Sequence, residues 1–152
     1  STSVEWIEKG KKCMNAGDAP QAFDCFTNAI KLDPKNPEAY ELRGETNLPY
    51  ELGGSNKAVA DFDRAIALDP GNYRALLYKG LCSGAEPEKA KPVLTRGIAL
   101  TQKAPVGDLN AIKFRALGAA WFDKKSAFPA VKRWCQTCPQ DPEAWWNLAL
   151  LH

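Results

Sequence analysis

Residues 22–34 read AFDCFTNAIKLDP, and 36 positions later residues 58–70 read AVADFDRAIALDP. Ala22, Phe26, Ala29, Ile30, Leu32, Asp33 and Pro34 thus return as Ala58, Phe62, Ala65, Ile66, Leu68, Asp69 and Pro70. A further copy follows, since Lys57, Ala58, Arg64, Ala65, Ile66, Ala67 and Leu68 recur as Lys89, Ala90, Arg96, Gly97, Ile98, Ala99 and Leu100. Apolar residues spaced three and four apart share one face of a helix. A repeat in the mid thirties accommodates two helices and their turns, so the chain reads as stacked helical hairpins.

The segment ahead of each copy agrees. Trp6 with Gly10, Tyr40 with Gly44, Leu76 with Gly80 and Phe114 with Gly118 each place a bulky residue one turn before a glycine. Glycine costs a helix interior about 1 kcal/mol relative to alanine. That cost is reasonable if the missing side chain admits a second helix, and Ala22, Ala58 and Ala90 are the expected facing residues. Asp18 with Gln21 reads as a capping box, and Asn36–Pro37 and Asp141–Pro142 as an N-cap followed by proline. Pro34 and Pro70 end the second helices, because proline lacks a donor and disfavours helical geometry before it. Helices are expected over 3–16, 19–32, 37–48, 55–68, 72–83, 86–102, 108–123, 126–137 and 142–152, with Pro92 kinking the sixth.

These residues resemble the tetratricopeptide-repeat (TPR) family, whose pattern runs large, small, aromatic, then Ala, Phe or Tyr, Ala and Pro across a helix pair. Residues 3–36 match through Trp6, Gly10, Gly17, Ala22, Phe26, Ala29 and Pro34. Residues 37–71 match through Tyr40, Gly44, Ala58, Phe62, Ala65 and Pro70, with extra residues in Leu48 to Asn56. Further repeats fall at 72–106 and 107–141, the last matching least well through Ala127, Val131, Trp134 and Pro139, and a final helix at 142–152. The resemblance implies one all-α domain over 1–152, a right-handed superhelix (α-solenoid) of about four hairpins plus a C-terminal helix.

Composition narrows the function. The chain has 152 residues, 45% apolar, with 20 basic and 18 acidic residues giving a net charge of +2. No long single-sign block occurs, which disfavours nucleic acid as a partner. No apolar run is long enough to suggest a membrane partner or a secretion signal. The five cysteines, an odd count in a chain able to fold without staples, point to a reducing, cytoplasmic setting. Lacking an initiating Met and stopping within an apolar pattern, the chain is expected to be a fragment of a longer protein.

Chemistry finds little support in the residues. Cys135 and Cys138 invite a zinc or redox reading, but the chain has no second such pair and its one histidine is His152. A redox pair opens a helix, where the dipole lowers the thiol pKa, whereas this pair closes one. Cys13 and Cys82 read as small apolar fillers. With no phosphate loop and no nucleophile beside a base, no enzyme activity, cofactor or metal is expected.

The resemblance implies instead a partner protein or peptide held in a concave groove lined by the first helix of each pair. The lining would be Ile7, Lys11 and Met14, then Glu41 and Glu45, then Arg74, Leu77, Tyr78 and Leu81, then Arg115 and Phe122. Tyr78, Leu77, Leu81 and Phe122 would be the apolar anchors. Glu38, Glu41 and Glu45 share a helix face that could attract a basic segment, although such runs are ordinarily solvated and Arg74 or Arg115 could neutralise this one. The first two repeats look like the co-chaperone branch, which grips acidic tails through a carboxylate clamp of Lys, Asn, Asn, Lys and Arg. The matching positions here are Ile7, Lys11, Leu42, Arg74 and Tyr78, and only Arg74 keeps the required charge, so a full clamp is not expected. At the far end Trp145, Trp146 and Leu150 are too apolar for a solenoid terminus in water, which suggests a further repeat or a homo-oligomer.

Overall fold

The computed structural model describes residues 1–48, 56–82, 87–122, 124–137 and 139–140. Within them run eight helices: α1 (Ser3–Asn15), α2 (Ala19–Leu32), α3 (Pro37–Thr46), α4 (Asn56–Leu68), α5 (Tyr73–Cys82), α6 (Pro87–Thr101), α7 (Leu109–Phe122) and α8 (Lys124–Thr137). The expected helix at 142–152, with Trp145, Trp146 and Leu150, lies outside the described residues, as do Cys138 and most of the extra stretch in the second repeat. No described segment is a strand.

Helix starts follow from capping. The Thr2 hydroxyl accepts from the Glu5 amide at 3.2 Å while the Glu5 carboxylate accepts from the Thr2 amide at 3.0 Å, a full capping box. Asp18 caps α2 through the Gln21 amide at 3.0 Å, but the reciprocal half is absent: the Gln21 side-chain oxygen accepts instead from the Cys13 thiol at 3.0 Å. Asn36, Asn72 and Asp108, one repeat apart, cap α3, α5 and α7 through the amides of Glu38, Ala75 and Ala111. Gly17, at φ 79°, makes the left-handed turn between α1 and α2. Helix α3 stops at Thr46, two residues short of expectation, with the Thr46 hydroxyl on the Arg43 carbonyl. Helix α6 runs through Pro92 uninterrupted, and α8 likewise through Pro129.

Packing is between neighbours in the chain: α1 with α2, α2 with α3, α3 with α4 and onward to α7 with α8, with α3–α5 and α5–α7 touching between first helices. The core is accordingly a row of clusters. One joins Ile7, Ala22, Phe26, Ala39 and Leu42, the next Ala58, Phe62, Ala65 and Ala75. Leu77, Ala90, Leu94 and Phe114 form another, and Ile112, Ala116, Val131, Trp134 and Cys135 the last. This is the layout of an α-solenoid.

The glycines on the first helices do admit a close approach, but the facing group differs from expectation. A Cβ on Gly10 would lie 2.5 Å from the Phe26 ring, one on Gly44 2.7 Å from Phe62, and one on Gly80 2.5 Å from Leu94. The large residue one turn beyond each alanine fills the space, and Ala22, Ala58 and Ala90 are themselves fully buried. In the last pair the relation changes, for Gly118 faces Ile98 and Leu77 of the preceding repeat.

Candidate functional site

The expected groove residues sort into three groups. Ile7 and Leu77, 2% and 1% exposed, belong to the core and line no groove. Ile7 packs in the cluster that includes Ala39 and Leu42 of α3, and Leu77 packs over the bare backbone of Gly97 and Gly118. Lys11, Met14, Glu45, Arg74, Tyr78, Leu81 and Arg115 are half-buried on α1, α3, α5 and α7, with the buried Glu41 among them. Phe122 ends α7, and its side chain is outside the described residues.

On the acidic face of α3, Glu38 is exposed, but Glu41 and Glu45 are largely withdrawn from solvent. Glu41 is 6% exposed and takes a hydrogen bond from the Asn72 amide nitrogen at 2.7 Å. Arg74 lies between two carboxylates. Its Nη2 donates to Glu45 Oε1 at 2.8 Å, while its Nε comes within 3.0 Å of Glu41 Oε1 without hydrogen-bond alignment and is otherwise buried without a partner. Its guanidinium also sits 5.6 Å from the Phe114 ring centre. Glu38 reaches across to Lys11, which bridges it to Glu8, both at 2.9 Å. The hydrogen bond that Lys11 donates to Glu38, then that to Glu8, raises the Lys11 pKa. Of the two arginines able to neutralise α3, Arg74 does so; Arg115 donates to the Ala111 carbonyl of its own helix at 3.3 Å.

Two carboxylates around one guanidinium leave a buried excess of negative charge. Burial pushes the Glu45 carboxyl from 4.5 up to about 7, against the opposing pull of Arg74 and with the nearby Glu41 adding to the rise. Burial raises Glu41 too, again opposed by Arg74. The folded state therefore holds a proton on Glu45 that the unfolded chain releases, so stability declines as pH rises from about 4.5 to about 7. Replacing Glu45 with glutamine is expected to remove this slope. Its gain over the native protein should grow by up to about 3 kcal/mol between those pH values, as urea denaturation at each pH would measure.

Tyr78 is half-buried and packed between repeats. Its ring stacks on Phe62 at 5.7 Å between centres and meets Phe114 edge-on at 5.2 Å, tying two core clusters together. Burial, then Glu45, raises its pKa. Leu81 packs against the Leu77–Phe114 cluster.

Two cavities adjoin the half-buried row. One of about 270 Å³ is lined by Met14, Gly17, Ala19, Glu45, Thr46 and Leu48, and one of about 240 Å³ by Ile112, Arg115, Pro129, Ala130 and Arg133. Sequence reasoning missed Leu48, Ala19 and Arg133, which become neighbours of the groove residues only through tertiary packing. Among the described residues no three His, Cys, Asp or Glu side chains gather as metal ligands, and no helix is long and apolar enough to cross a membrane. Cys13 is buried in the first cluster and Cys82 half-buried, as fillers would be.

Comparison with known proteins accords with this architecture. Residues 50–83, which take in α4 and α5, match the tetratricopeptide-repeat family model. The protein SGT1 homolog of Oryza sativa subsp. japonica is 36% identical over 72 residues, 47% of this chain; the chain spans about a fifth (19%) of that relative's length. Among solved structures, a thermophilic TPR protein of Thermus thermophilus, TTC0263, superposes with a TM-score of 0.74 at 19% identity, over 99% of this chain and 81% of that one. The second TPR of Spaghetti (RPAP3), bound to the HSP90 peptide SRMEEVD, superposes with a TM-score of 0.61 at 20% identity, over 66% of this chain and 93% of that one.

Proposed function

Because the chain belongs to the tetratricopeptide-repeat family, we propose that it is a non-enzymatic scaffold that holds a segment of another protein along the first helices of its repeats. The observation that carries this reading is the row of half-buried side chains Lys11, Met14, Glu45, Leu81 and Arg115, which pass from helix to helix and mix apolar with charged groups. Shape and a few anchors would supply affinity, and the charges register and direction.

The partner is not an acidic tail held by a full carboxylate clamp. Spaghetti's second TPR holds a peptide ending in Glu-Glu-Val-Asp. Here two of the matching positions, Ile7 and Leu42, are buried in the core, and the cations at two others are engaged, Lys11 by Glu8 and Glu38, Arg74 by Glu41 and Glu45. Freeing Arg74 for a ligand would strand two buried carboxylates. The cysteine content supports a reducing compartment such as the cytoplasm.

Capture of partners from a cell lysate, read by mass spectrometry, tests the groove. A triple variant Lys11→Ala, Met14→Ala, Arg115→Ala should lose its partners with the helical signal unchanged. A control changing the exposed Lys31 and Lys91 of the second helices should keep them. Equal capture by both variants would remove the groove as the binding surface.

A further inference from the structure

The cavity beside Glu45 has features that select its occupant. Met14, Ala19 and Leu48 give it apolar walls, and Glu45 is its charged group. At about 270 Å³ it lies just below the range of about 300–1,000 Å³ usual for small-molecule sites, so it suits one side chain better than a free ligand. Glu45 Oε1 accepts from Arg74, while Oε2 has no hydrogen bond among the described residues.

The backbone reinforces the choice. Helix α1 ends at Asn15 and α3 at Thr46, so Met14 and Gly17 on one side and Glu45, Thr46 and Leu48 on the other bring two helix C-termini to the cavity. The dipole of each helix places roughly half a negative charge at its C-terminal end, which favours a cation. Cations of the fold are already engaged: Arg74 by the two glutamates, Arg43 by Asp61 at 2.7 Å, Lys11 by Glu8 and Glu38, and Lys113, whose charge also acts on Glu45, over the Trp134 ring at 5.4 Å.

We propose that this cavity receives a lysine side chain of the bound segment, its aliphatic stem against Met14, Ala19 and Leu48 and its ammonium on Glu45 Oε2 between the ends of α1 and α3. Lysine fits better than arginine because one acceptor oxygen is open, and a guanidinium fork is satisfied by two. The stem–head division of lysine, apolar along its length and charged at its tip, matches a cavity whose walls are apolar and whose acceptor is single. The proposal rests on the groove reading and adds the chemistry of its partner. It also accounts for the carboxylate excess around Arg74, since a ligand ammonium would balance the second glutamate.

Selection of a random linear peptide library on the intact chain tests it. Peptides enriched on the native protein should carry a lysine at a fixed position. Acetylating that lysine should weaken binding about tenfold to a hundredfold, the usual worth of a charge-assisted contact. The Glu45→Gln protein should bind native and acetylated peptides alike. Binding of the acetylated peptide by the variant as tightly as by the native protein shows that the variant is folded, so a folding defect cannot imitate this result. Enriched peptides without a fixed lysine, or with a lysine whose acetylation changes nothing, would overturn the lysine proposal and leave the groove standing. Enriched peptides indifferent to the Lys11, Met14 and Arg115 substitutions would overturn both.

Discussion

Replacing Arg74 with methionine is expected to cost about 3–5 kcal/mol of folding stability near neutral pH, because it leaves Glu41 and Glu45 buried without their shared cation. Glu41 would keep only its bond from Asn72, and Glu45 would keep none among the described residues. The cost depends on pH. Both carboxyls already titrate above the ordinary carboxylate value through burial, and removing the guanidinium raises them further. Below about pH 4.5 both are protonated in either state and most of the penalty should vanish. Stability of the variant must therefore fall more steeply with rising pH than that of the native protein. Adding Glu45→Gln to Arg74→Met should recover a large part of the loss, and a double-mutant cycle by chemical denaturation would measure the coupling. A loss independent of pH would show that Arg74 acts through its contact with Phe114 instead.

Phe62→Ala is the other large effect, expected at about 3–5 kcal/mol. Phe62 is fully buried, faces the bare backbone of Gly44 and stacks on Tyr78 of the next repeat. Its loss would empty the space that Gly44 leaves and unsupport the Tyr78 ring that joins two core clusters. Gly44→Ala in the same background should restore part of the stability, since its Cβ would enter the vacated volume. In the native protein that methyl would meet the Phe62 ring at 2.7 Å. Opposite signs for one substitution in the two backgrounds, read from thermal or urea unfolding, are the mark of a lock between glycine and aromatic ring.

The sequence was informative wherever interactions are local. Helix positions followed from spacing, and starts such as Asn36 and Asp18 from cap chemistry within a few residues of the helix they begin. The differences arise where a distant residue decides. The partner of Gly10 is Phe26 and not Ala22, because the way the second helix rolls on the first selects which of two residues one turn apart enters the gap. Ile7 and Leu77 share a helix face with groove residues, and only the tilt between repeats determines whether that face is covered. Glu41 reads as a solvated acid on its own helix; Arg74 and Asn72, which make its burial tolerable, arrive from the next repeat. The charged members of the site were thus visible as residues but not as a linked set, and the cavity beside Glu45 was not visible at all.

The division of the core into a row of small clusters has a bearing on how a bound partner is felt. With contacts confined to neighbouring helices and to the first helices of adjacent repeats, free energy gained at one junction is passed chiefly to the next, so its effect fades with distance as in a one-dimensional array. A segment held at α1 and α3 should slow amide exchange most strongly in α1 to α4 and progressively less toward α8. Occupancy would then be legible as a gradient of protection along the chain, with its steep end marking the repeat the partner grips.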